Sequence, residues 1–186
     1  YISMSIFFKK IKSIISIVGN DFPEKHLKMF EAKDIDISGV QVHKNEKTFY
    51  WKGLYGENVN ERETLQTNVN SLLGFTPDLK EKHISPKIIV LGNISPTAQL
   101  MLLNKLRATT KPFVILDTMN YWINNNLAEL NNVIENADLM VINSEEAEQL
   151  TSTKDLDQAA QTLIKKGPRY VTVSYTHLTL PTTTIV

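Results

Sequence analysis

The sequence predicts an α/β fold, a mainly parallel sheet flanked by helices with a small β-strand lid. Three observations carry this. Short, nearly continuous apolar runs recur in the second half, at KIIVLGN (87–93), FVILD (113–117), LMVIN (139–143) and YVTV (170–173), the pattern of strands buried on both faces. The stretches between them place apolar residues at helical spacing, so strand and helix alternate. Between residues 34 and 70 the chain is instead rich in Val, Thr, Tyr, Phe and Trp and broken by turn residues, which predicts several short antiparallel strands.

Taken in order, residues 1 to 10 carry Ile2 and Ile6 at helical spacing and read as the last turns of a helix. SIISIV (13–18) is β-branched and ends in Gly19-Asn20-Asp21, a buried strand followed by a turn. Pro23 suits the first helical position of PEKHLKMFEAK, whose Leu27 and Phe30 can face a core. VQVH (40–43), KTFYWKGLY (47–55) and RETLQTN (62–68) then form a meander or flap, the lid, spanning about 38–70. After Pro77 and Pro86 the alternation begins. A helix over Pro96 to Leu106 carries Leu100, Leu103 and Leu106 at helical spacing. Further helices are expected over Trp122 to Ile134, from Ser144, and near Leu156 to Lys166.

Composition narrows the function classes. A hydrophobic share of 42% over 186 residues suits one sizeable core. The 20 basic and 20 acidic residues cancel, leaving no electrostatic footprint for nucleic acid or an anionic membrane; a small molecule fits better. Cysteine is absent, which excludes a disulfide framework and any cysteine-ligated metal, and fits a reducing cytoplasm. No apolar run approaches the roughly 20 residues of a membrane helix. The N-terminal YISMSIFFKKIK has its lysines after the apolar part, the wrong order for a secretory signal. A chain beginning at Tyr1 is expected to be incomplete.

The candidate site residues lie where strands end, because ligands of open α/β sheets bind at the carboxyl ends of strands. In ADLMVINSEEAEQL (137–150) a strand delivers Asn143 and Glu146. By spacing alone these residues form a capping box, which satisfies orphan amides at a helix start without any ligand; a metal or phosphate role is the alternative, and the two can coexist. Asp117 ends FVILD with Asn120 one turn on, again a candidate site or a helix cap. Asn93 follows a strand, where turn chemistry is the plain explanation. On the lid, Asn58, Asn60 and Arg62 are polar candidates, while Phe49, Tyr50 and Trp51 pack between strands or stack on a base. His26, His43, His83 and His177 show no metal-ligand spacing and read as surface or structural, and Glu145 reads as a helix-dipole residue.

These segments form an ordered set. SIVGNDFP (16–23), DIDISGV (34–40), KTFYWKGLYGENVNERET (47–64), IIVLGNISP (88–96), DTMNYW (117–122) and NSEE (143–146) together resemble the PfkB, or ribokinase-like, family of sugar and nucleoside kinases over about residues 1 to 173. The resemblance implies a ribokinase-like fold and transfer of phosphate from ATP to a hydroxyl of a sugar or nucleoside. It implies Mg²⁺ held largely through its water shell by Asn143 and Glu146, with Asp117 near the phosphates or their metal. It implies Asn93, Asn120 and Arg62 on the substrate side, a cytoplasmic enzyme, and a homodimer through the lid strands. The family's N-terminal glycine pair and its C-terminal G-x-G-D, which holds the catalytic aspartate and an anion hole, are absent from this sequence. No catalytic residue is therefore assigned, and the chain is expected to be an inactive fragment truncated at both ends. The rival expectation is a non-catalytic small-molecule-binding or scaffold module on the same fold. From Ser174 the chain reads SYTHLTLPTTTIV, uncharged and threonine-rich, which resembles translated sequencing-adapter read-through. Residues 174–186 are accordingly expected to be a non-native tail, the alternative being a short C-terminal strand.

Overall fold

Strand β1 (Lys12–Gly19), helix α1 (Glu24–Glu31) and strand β2 (Ile35–His43) follow one another, and β2 pairs parallel with β1. The computed structural model describes residues 12–55, 62–175 and 182–185, with the backbone alone at Tyr55, Arg62, Tyr175 and Thr182–Ile185. The helix expected over residues 1 to 10, Asn58, Asn60 and His177 lie outside the described residues. The chain divides into two compact units, one of Tyr1–Leu54 with Arg62–Ile84 and one of Tyr55–Glu61 with Ser85–Val186.

The first unit corrects part of the expected lid. VQVH (40–43) was expected as one of the antiparallel lid strands, yet it is the end of β2, and α1 returns the chain to the start of β1, a crossover that makes the next strand parallel. Among the described residues β1 and β2 form one two-stranded sheet, and strands β3 (Tyr50–Tyr55) and β4 (Arg62–Asn68) form a second. Pro23 is the N-cap of α1 rather than its first residue, and the helix buries no residue fully; Leu27 and Phe30 are half-buried. The apolar core here is small, comprising Ile17, Val18, Ile35, Leu72 and Phe75.

Backbone proximity does much of the remaining work. A Cβ on Gly19 would lie 2.1 Å from both the Lys47 carbonyl carbon and the Thr48 nitrogen, so only glycine lets the end of β1 meet that loop. The following residues fasten the same loop. The Asn20 amide donates to the Glu46 carbonyl (3.0 Å), and the Thr48 amide and hydroxyl donate to Asp21 Oδ1 (2.7 and 2.8 Å).

In the second unit, strands β5 (Ile88–Leu91), β6 (Phe113–Asp117), β7 (Leu139–Asn143), β8 (Tyr170–Tyr175) and β9 (Thr182–Ile185) form one sheet in that order. The first four are parallel and β9 is antiparallel to β8, so the sheet is mainly parallel, as the apolar runs predict. Strand β9 falls within the stretch expected to be non-native. Pairing along an open sheet edge uses backbone groups and asks little of side-chain identity.

Helices α2 (Pro96–Arg107), α3 (Asn120–Asn125), α4 (Leu127–Ile134), α5 (Ser144–Thr151) and α6 (Leu156–Ile164) alternate with the strands. Ser95 caps α2 by accepting from the Ala98 amide, and Pro96 takes the first position, where a missing N–H costs nothing. Helix α2 buries Leu102, Leu103 and Leu106, with Leu100 only half-buried. The single helix expected over Trp122 to Ile134 is two, broken at Asn126, where φ −140 and ψ 41 are not helical. Leu91, Leu103, Leu116, Leu130, Met140 and Leu163 fill the core between sheet and helices at no more than 1% exposure.

Candidate functional site at the carboxyl edge of the second unit

Strands β5, β6 and β7 all deliver a polar residue at or just past their carboxyl ends: Asn93, Asp117 and Asn143. Parallel register determines their spacing. Asp117 lies opposite Val141, so Asn143 projects two residues further along the neighbouring strand.

Asn143 and Glu146 form the capping box read from their spacing. The Glu146 amide donates to Asn143 Oδ1 (2.8 Å) and the Asn143 amide donates to Glu146 Oε2 (3.2 Å). Glu146 is 5% exposed, so a carboxylate is held close to the strand end at the start of α5. That position suits negative charge, because the helix dipole presents its positive end there. Glu145, in the same first turn, accepts from Asn120 Nδ2 at 3.0 Å, which links α5 to α3. The dipole reading of Glu145 omitted this bond.

Helix α3 also reaches the other way. Two residues after Asn120, Trp122 donates from Nε1 to Asn93 Oδ1 at 2.7 Å. Trp122 is 4% exposed and was read only as the start of a helix. A signal existed, since a buried indole N–H needs an acceptor and strand-end Asn93 is one. The Gly92 carbonyl beside Asn93 is held by Gln99 Nε2 at 2.9 Å, a second contact that the sequence did not suggest.

Asp117 stands apart from this chain of bonds. Burial is the larger influence on its carboxyl and raises its proton affinity, against the Thr118 amide, which lowers it. The side chain still reaches solvent, which limits the size of that shift. Next to it, Thr118 Oγ1 is buried with no hydrogen-bond partner among the described residues. The end of β6 thus holds a carboxylate short of compensating charge beside an unsatisfied hydroxyl. Among the described residues no three His, Cys, Asp or Glu side chains converge to hold a metal directly. Hard oxygens spread over adjacent strand ends fit a hydrated Mg²⁺, which keeps several of its waters, better than a caged ion.

Arg62, expected on the substrate side, opens β4 in the first unit, and its side chain lies outside the described residues. That unit holds an open cleft of about 370 Å³ lined by Asp21, Phe49, Tyr50, Gln66 and Asn70, among others. Its polar groups bond to one another: Asp21 accepts from Thr48, whose amide and hydroxyl hold the carboxyl below its usual range, and Asn70 donates to the Thr48 carbonyl at 2.8 Å.

The first unit also carries a polar knot. Asp36 accepts from Ser13 Oγ (3.1 Å), the Ser38 amide (3.0 Å), Lys82 Nζ (2.9 Å) and His83 Nε2 (3.0 Å). The Lys80 amide donates to His83 Nδ1, which makes Nε2 the donor toward Asp36. Burial opposes ionisation of Asp36, but the bonds from Lys82, His83 and Ser38 outweigh it and hold the carboxyl well below the usual carboxylate range. His83, 7% exposed, is structural, as its lack of ligand spacing predicted.

A parallel sheet with polar residues gathered at its carboxyl edge is the layout of small-molecule-binding α/β proteins. Residues 12–176 match the family described as pfkB family carbohydrate kinase, and the chain belongs to that family. It is 26% identical over 163 residues to a cytidine kinase of Thermococcus kodakarensis, covering 87% of this chain and 57% of that protein. The chain therefore spans little more than half the length of this curated relative. The fold is that of the ribokinase family. The nucleoside kinase of Methanocaldococcus jannaschii, an archaeal member of that family, superimposes with a TM-score of 0.68 at 16% identity, covering 95% of this chain and 56% of that one. An E. coli protein assigned as ribokinase II, solved in complex with ATP and Mg²⁺, gives 0.68 at 16% identity, covering 98% and 65%. Among the described residues no helix is long and apolar enough to cross a membrane.

Proposed function

We propose that the chain carries the acceptor-side and metal-phosphate residues of an ATP-dependent kinase that phosphorylates a hydroxyl of a sugar or nucleoside. The observation that carries this reading is the gathering of Asn93, Asp117, Asn120, Asn143 and Glu146 at one sheet edge in a chain that belongs to the pfkB family. When bound, Mg²⁺ supplies charge neutralisation on the transferred phosphate. Glu146, Asn143 and Asp117 hold its water shell, and Asn93 and Asn120 orient the acceptor. Arg62 is assigned to the substrate side by the same resemblance. The 186 residues are proposed not to turn over by themselves, because the resemblance places proton acceptor and anion hole in a G-x-G-D segment that the sequence does not contain. Exposed Tyr50, Leu54 and Leu65 on β3 and β4 support a homodimer through the lid strands. We propose further that residues 174–186 are a non-native tail.

One observation favours a second reading, a non-catalytic binding module: the capping box already accounts for Asn143 and Glu146. Glu146→Gln in the full-length protein separates the two. Glutamine retains an acceptor for the Asn143 amide, so the melting temperature is expected to stay within about 2 °C of wild type, less than loss of a cap would cost. Mg²⁺-dependent ATP binding, read by calorimetry, is expected to weaken at least about tenfold, because charge on the metal's water shell is lost. Unchanged Mg²⁺-dependent binding in this variant, or no ATP-dependent phosphorylation of ribose or cytidine by the wild-type full-length protein, counts against the kinase reading.

A further inference from the structure

Asn93 is held twice. Its backbone lies on a turn whose Gly92 carbonyl accepts from the Ile94 amide (2.8 Å) and from Gln99 Nε2 (2.9 Å). Gln99 is 2% exposed on the first turn of α2, so this clamp is internal to the fold. The side chain is held separately, by Trp122 Nε1 at 2.7 Å. An indole N–H donates and never accepts. The atom of Asn93 that meets it must be the carboxamide oxygen, so the partner decides which way the carboxamide faces. A flip would set NH₂ against N–H and leave the buried indole unsatisfied.

The other end of the same carboxamide is therefore fixed as well. Asn93 is exposed, and among the described residues no protein group accepts from its Nδ2. We infer that Asn93 is a preset hydrogen-bond donor at the carboxyl edge of β5, that it binds an acceptor oxygen or nitrogen of a polyhydroxylated ligand, and that Trp122 is the positioning residue that sets this polarity. The inference rests on the functional reading above and deepens it, by stating which half of the ligand's hydrogen bonding is read here. A hydroxyl held by Asn93 must use a lone pair, so its own proton turns to a different acceptor. A donor held in place before the ligand arrives also spares the ordering cost of a freely rotating side chain.

The rival explanation is that Asn93 exists only to satisfy the indole. Aspartate would serve that purpose equally well, since it keeps an acceptor for Trp122 and merely replaces the donor with a second acceptor. Asn93→Asp is therefore the decisive variant. In ¹⁵N-labelled full-length protein the Trp122 indole proton is expected to resist solvent exchange in wild type and Asn93→Asp, and to lose that protection in Asn93→Leu. Calorimetric titration with ribose and with cytidine is expected to show binding to Asn93→Asp weakened about tenfold or more, and binding to Trp122→Phe weakened by a smaller factor because the freed amide still samples the productive orientation. Fast indole exchange in wild type overturns the assigned polarity. Wild-type affinity in a folded Asn93→Asp overturns the ligand role and leaves the indole explanation standing. Failure of wild type to bind either probe, with the indole protected, overturns the functional reading instead.

Discussion

The two units of this chain are stabilised by different means. The second is held by apolar burial: Val114, Leu116, Leu130, Met140 and Val171 are each 0% exposed, on strands and helices that alternate along the sequence. The first buries few large apolar side chains and relies on close backbone approach at Gly19 and on a carboxylate, Asp36, that gathers four donors. Apolar burial is indifferent to pH and tolerant in direction, whereas a paired carboxylate and a glycine contact tolerate neither protonation nor an added atom. The unit with the smaller core is thus the more specified at single positions.

The largest expected effect lies in the second unit. Leu116→Ala empties part of a packed core and is expected to cost about 2–5 kcal/mol in denaturant unfolding, with no dependence on pH. A smaller cost would mean that the core collapses around the gap. Next is Gly19→Ala, whose Cβ would meet backbone 2.1 Å away. It is expected to cost about 1–3 kcal/mol, as an overpacked site does, and to raise hydrogen exchange at Asn20, Thr48 and their neighbours while leaving β5 to β8 protected. Uniform loss of protection across both units would break the contrast drawn here.

Asp36→Asn sharpens it through pH. The folded carboxyl is held below its usual range, so its contribution is fully present above the unfolded value of about 4 and is lost as pH falls from there toward the lowered folded value. Wild type is expected to exceed the variant by about 1.5–3 kcal/mol at pH 6, the range for hydrogen bonds to a charged group, and the gap is expected to narrow in melts at pH 3. A gap that stays constant would show that Asp36 acts through shape rather than charge.

How much of this was legible in the sequence depends on distance along the chain. Strands FVILD and LMVIN lie where their composition puts them, because a strand buried on both faces declares itself locally. The Asn143–Glu146 box was legible for the same reason, its two bonds spanning three residues. Other side-chain bonds described above are distant: 29 residues separate Trp122 from Asn93, and 47 separate His83 from Asp36. A buried indole signals that it needs some acceptor, but no local pattern says which distant residue supplies it. The orientation of β2 was misread because it depends on where α1 returns the chain rather than on the strand's own residues. The break at Asn126 carries no Gly or Pro to mark it.

That break has a bearing on descent. Helix α4 beyond it is anchored by Leu130, Val133 and Ile134, all 0% exposed, while α3 before it carries Asn120 and Trp122, the two residues that reach Glu145 and Asn93. Asn126 departs from helical geometry, so α3 and α4 are not one straight rod, although its amide still donates to the Trp122 carbonyl and its carbonyl accepts from the Leu130 amide (both 2.9 Å). Two short helices that meet at a bend can be varied separately, which is one way a fold diversifies while its scaffold stays constant.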